Sequence, residues 1–80
     1  MNEEVKHQLA EIEAIVSPKF RKKVNVDEKE AARIIGVSPS TMATRRKEGT
    51  GPEYKKFGVR KYLYNKTKLA EWLVLTIKTV

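Results

Sequence analysis

No cysteine occurs among the 80 residues, and histidine and tryptophan occur once each. Without thiols there is neither a disulfide framework nor a thiolate metal site, so the fold must close by apolar packing alone, as a reducing compartment permits. The lone histidine, His7, stands among polar neighbours and builds neither a metal site nor a nucleophilic triad, so no metal and no cofactor are expected. Long apolar runs are missing too. The chain opens MNEEVKHQ, acidic where a secretory signal is basic, and nothing approaches the length of a membrane span. A cytoplasmic protein with no membrane partner is the expectation. A chain of this size buries about 60% of the surface it exposes when unfolded, enough for one modest core but not for a deep substrate cavity as well. No acid–base pair stands out for a cleft, which argues against an enzyme.

What the chain has in excess is positive charge: 17 Lys and Arg against 10 Asp and Glu, for a formal +7. The excess is uneven. Residues 1–16 hold Lys6 against Glu3, Glu4, Glu11 and Glu13, whereas sixteen bases face six acids in residues 17–80. Such a field attracts polyanions, either nucleic acid or an anionic surface.

The hydrophobic pattern divides the chain into an N-terminal amphipathic helix (1–18), a basic linker (19–25) and a compact domain (26–80). Val5, Leu9, Ile12 and Val16 form a helical stripe that ends at Ser17-Pro18, with Asn2 as its cap; it packs on its own domain or serves as a dimerisation seam. The linker KFRKK either tracks phosphates or docks Phe20 on the core. Asp27 and Glu30 read as a capping box before Ala31, Ala32, Ile34 and Ile35, and Gly36 stops that helix. Ser38-Pro39 caps and starts a second helix to about Glu48, with Val37 plugging the angle between the two. Two short helices across a tight turn form a helix-turn-helix. After Gly49–Pro52, strands over 53–57 and 60–64 flank Gly58-Val59, the signature of a two-residue type II′ hairpin or wing. Asn65 then caps a last helix whose apolar side is Leu69, Trp72, Leu73 and Ile77. The fold class expected is α+β, mostly α: a winged helix-turn-helix with a two-stranded wing and an extra N-terminal helix.

On the second helix Met42 is the large apolar residue and points inward, with the stem of Arg46 one turn on. Ser40, Thr44 and Lys47 then face outward, flanked by Thr41 and Arg45. The second helix of such a motif enters the DNA major groove, where small hydroxyl side chains allow close approach. Arg45 is the best single candidate for a bidentate contact to guanine, while Ser40 and Thr41 are equally suited to phosphate at the helix N-terminus. Lys55, Lys56, Arg60 and Lys61 on the hairpin extend the basic surface; from Ser38 to Lys66 eight bases face two acids. The adjacency of hydroxyl-faced helix and basic hairpin points to double-stranded DNA.

The run VDEKEAARIIGVSPSTMATRRKEGTGPEYKKFG followed by YLYNKTKLAEWL resembles the MerR-like winged-helix family of small phage and mobile-element proteins, the excisionases (recombination directionality factors) and AlpA-type regulators. The resemblance spans about residues 24–75 and rests on EAARIIGVSPST, EGTGPEY and the closing YLYNKTKLAEWL in that order. It implies non-catalytic, sequence-specific DNA binding, with Ser40, Thr41, Thr44 and Lys47 on the groove side and Lys55, Arg60 and Lys61 in the wing. The family often carries an aromatic where Arg45 stands, so stem packing and base reading both stay open there. Use in excision beside an integrase, or in transcription beside RNA polymerase, also stays open, as does a homodimer against a cooperative array on DNA. An adaptor or antirepressor acting through the N-terminal helix is the alternative class.

Overall fold

The computed structural model describes residues 3–78, with side chains to Thr76; Asn2 as a cap and the side chain of Ile77 lie outside the described residues. The elements run α1 (Glu3–Ile15), a 3-10 turn (Pro18–Phe20), β1 (Asn25–Asp27), α2 (Glu28–Ile35), α3 (Pro39–Glu48), β2 (Lys55–Phe57), β3 (Lys61–Asn65) and α4 (Lys66–Lys78).

Local chemistry sets most of these boundaries. The Asp27 carboxylate accepts from the Glu30 backbone N–H at 2.8 Å and starts α2. Only half of the expected capping box forms, because the Glu30 side chain turns away from Asp27. It accepts instead from the backbone and hydroxyl of Ser17, each at 2.8 Å, and from Arg33. This network clamps the corner after α1 onto α2. Gly36 ends α2 at φ 84°, and the Gly36 and Val37 N–H groups both return to the Ala32 carbonyl. Val37 packs against the core, as the helix-turn-helix angle requires. Asn65 Oδ1 accepts from the Thr67 and Lys68 N–H groups and starts α4.

One core joins all four helices. Val5, Ile12 and Val16 from the first segment are buried with Phe20, Val26, Ala31, Ala32, Met42, Tyr64, Leu69, Ala70 and Val74. The stripe that would have formed a dimer seam is therefore spent inside the domain, where α1 packs against α4. Phe20 docks on the core rather than leaving the linker free. Lys66 reinforces that corner: its side chain is 4% exposed, and its ammonium donates to the Phe20 carbonyl at 2.6 Å and pairs with Glu13 at 2.6 Å. The apolar phase of α4 also differs from expectation. Leu69, Ala70 and Val74 are buried and Leu73 packs against them, while Trp72 is only half-buried.

The sheet has three antiparallel strands in the order β1-β3-β2, one more than expected. Val26 opposite Tyr64 places both side chains in the core. The hairpin register is Lys55 with Leu63, Lys56 with Tyr62 and Phe57 with Lys61, which leaves Gly58, Val59 and Arg60 as a three-residue turn. The two-residue turn is thus corrected, and Arg60 belongs to the turn rather than to a strand. Gly58 opens the turn at φ 77°, a conformation costly for a residue with a Cβ. The extra turn residue changes the pairing parity, so Lys56, not Lys55, shares the helix-facing side with Tyr62.

Candidate nucleic-acid interface

Ser38 accepts from the Thr41 N–H at 3.1 Å and donates its own hydroxyl proton to Thr41 Oγ1 at 2.9 Å. With Pro39 at the first helical position, this fixes the start of α3. Met42 faces inward at 1% exposure, so Ser40, Thr41, Thr44, Lys47 and Glu48 are left exposed on the other side. The Thr44 hydroxyl donates to the Ser40 carbonyl at 3.0 Å. Its proton is committed, and toward a ligand it is an acceptor beside a methyl group.

Adjacent arginines diverge. Arg45 is half-buried, and its Nε is buried with no hydrogen-bond partner. The chain folds back over its stem: the Thr50 N–H donates to the Arg45 carbonyl at 3.0 Å, and a Cβ on Gly51 would lie 3.2 Å from the Arg45 Cβ. A side chain at Gly51 would crowd the Arg45 stem, which would have to give by a few tenths of an ångström. Stem packing is therefore a role of Arg45, which also lines a shallow groove with Ser40, Thr41, Thr44, Glu48 and Thr50. Glu48 also lines this groove, an acid that a pattern of basic and hydroxyl side chains does not point to.

Arg46 turns to the core side. It pairs with Glu28 and lies over the Tyr62 ring, 3.6 Å from its centroid. The Tyr64 hydroxyl donates to the same Glu28 oxygen at 2.8 Å. The Glu28 hydrogen bond raises the Arg46 pKa, while burial and then the bond to Glu28 push the Tyr64 phenol well above its ordinary value. Tyr54 completes the cluster edge-on to Tyr62, with centroids 5.8 Å apart. The group ties α2, α3 and β3 together, fixing the angle between second helix and hairpin. No local pattern in the chain pairs Glu28 with a residue 18 positions on.

On the hairpin, Lys55, Lys56, Arg60 and Lys61 are all exposed. Their register divides them: Lys56 lies on the side of Tyr62 and Arg46, whereas Lys55 and Lys61 lie on the opposite side with Phe57. Two of the eight bases between Ser38 and Lys66 leave the surface tally, because Arg46 is committed to Glu28 and Lys66 to Glu13. Beyond the start of α3, a hollow beside Pro39 is lined by Lys19 and Lys29. Lys29 carried no assignment in the sequence, and only the docking of Phe20 brings Lys19 beside it.

Among the described residues no group of three or more His, Cys, Asp and Glu is placed to hold a metal ion. No helix among them is long and apolar enough to cross a membrane. A family model described as a helix-turn-helix domain matches residues 26–73. No curated protein and no solved structure matches the chain.

Proposed function

Because the chain belongs to the helix-turn-helix domain family, which covers AlpA- and excisionase-like small DNA-binding proteins, we propose that it is a non-catalytic, sequence-specific binder of double-stranded DNA. In this reading α3 lies in the major groove. Ser40, Thr41 and Thr44 approach the base edges, Arg45 reads guanine from the groove it lines, and Lys47 meets phosphate. The wing spans to the adjoining minor groove, where Lys55, Lys56, Arg60 and Lys61 meet phosphates on both sides of it. Lys19 and Lys29 meet the backbone beyond the start of α3. The observation that carries the reading is the outward hydroxyl face opposite buried Met42, with a basic hairpin held beside it by Arg46.

The use we propose is that of a MerR-like recombination directionality factor or small transcriptional regulator of a phage or mobile element, acting in the cytoplasm on the nucleoid. One interface serves both uses, with an integrase or RNA polymerase as the protein neighbour. Cooperative loading on adjacent sites is favoured over a dimer through Val5, Leu9, Ile12 and Val16, because the core takes up that stripe. The same burial weakens the adaptor reading, which needs the stripe on offer to a partner.

Enrichment of a site from a random duplex pool, followed by binding at two salt concentrations, tests the proposal. A single enriched motif with strongly salt-dependent affinity is expected, and absence of any duplex binding at low salt would overturn it. Footprints beside an attachment core favour excision, whereas footprints over a promoter favour regulation.

A further inference from the structure

Two apolar side chains stand at the far end of the hairpin, where the core has no use for them. Phe57, the last residue of β2, is 64% exposed, and Val59 in the turn is 84% exposed. Neither belongs to the hydrophobic core or packs against it. Exposed apolar side chains are ordinary when scattered, but these two stand one residue apart at the tip of a basic hairpin.

The charge around the tip selects what covers it. Residues 55–61 contain four bases and no acid. An apolar groove on another protein would have to seat those four cations at its rim, whereas the minor groove of a duplex has phosphates along both edges. The split register fits the same geometry, because Lys56 faces one way across the ribbon and Lys55 and Lys61 the other. Each face then meets one phosphate strand, while Phe57, the last residue before the turn on the face of Lys55 and Lys61, and Val59 within the turn lie nearest the groove floor; apolar wedges at that place loosen base stacking and kink the helix. The hairpin is held to its angle by Arg46 lying over the Tyr62 ring and by the edge-on contact of Tyr62 with Tyr54.

Resting on the DNA-binding reading above, we propose that Phe57 and Val59 form an apolar wedge that enters the minor groove beside α3 and bends the bound duplex. The test uses the full chain, the double variant Phe57→Ser with Val59→Ser, and the single variant Lys61→Ala. The probe is a duplex carrying the enriched site, with a fluorescent donor and acceptor at its two ends. The wild type should shorten the end-to-end distance. The double variant should keep the wild-type denaturation midpoint and salt slope, bind about three- to tenfold more weakly, and lose most of the bend. Lys61→Ala should keep the bend and flatten the salt slope. Unchanged bend and affinity in the double variant would overturn the wedge. So would a variant that bends DNA normally but fails to load cooperatively on two adjacent sites, which would assign the tip to a second copy of the chain. Failure of the wild type to bind any duplex is a separate outcome: it sinks the DNA-binding reading and the wedge with it.

Discussion

Arg45 and Arg46 are neighbours in the chain and divide the work of α3 between a groove and a core. Arg46→Ala leaves the Glu28 carboxylate without its cation and strips the face of Tyr62, which should cost about 2–4 kcal/mol of stability. Urea denaturation would read this as a lower midpoint, with the salt slope of DNA binding unchanged; a lower slope at wild-type stability would place Arg46 on the DNA instead. Arg45→Ala should alter base preference, whereas Lys61→Ala should weaken all duplexes alike and reduce the salt slope by about one. Uniform loss in both, measured on a panel of site variants, would remove Arg45 from base reading. Glu30 sets an acid limit. The Arg33 hydrogen bond first, then those from Ser17, outweigh burial and bring its carboxyl from 4.5 to about 2. Because the folded value lies below the unfolded one, the stabilisation is full above about pH 4.5 and is lost as pH falls toward 2. Glu30→Gln should flatten that limb of the stability profile, at a cost of about 1–3 kcal/mol near neutrality.

Helix starts were legible because a cap is a local transaction: Asp27, Ser38 and Asn65 each accept from an N–H two or three residues ahead. Met42 was legible because nothing else on α3 is large and apolar. The hairpin register was not, since a turn of two residues and one of three leave the same alternation of types along the chain and differ only in which residues meet across the ribbon. Nor was β1, whose three residues are too few to alternate recognisably. The phase of α4 was not legible either: apolar size favours Trp72 for the core, whereas Ala70 is fully buried and Trp72 only half-buried. The N-terminal helix offered two readings, and burial decides between them. Removal of residues 1–17 should therefore abolish cooperative unfolding, because Val5, Ile12 and Val16 leave the core and Lys66 loses Glu13. A truncated chain that unfolds cooperatively at the wild-type midpoint would show that the remaining residues suffice.

Charge is distributed by the packing order. The acid-rich α1 packs on α4, whereas α3 packs on α2, so acidic and basic surfaces belong to different sides of one core. The basic side was legible from composition, but its true strength was not, because Arg46 and Lys66 are consumed inside the molecule. With Lys19, Lys29, Lys47 and the four wing bases remaining, contact with about four to six phosphates is expected, and log K should fall with log salt at a slope of about −4 to −5. A slope near zero in a salt titration would mean that the basic side is not the binding side. The most direct measurement is chemical protection on the enriched site, reading guanine N7 in the major groove and adenine N3 in the minor groove at once. Protection of N7 across one major-groove segment, with N3 protected in the flanking minor groove about half a helical turn away, is the predicted pattern. Protection confined to the sugar–phosphate backbone, with both base positions open to reagent, would contradict it.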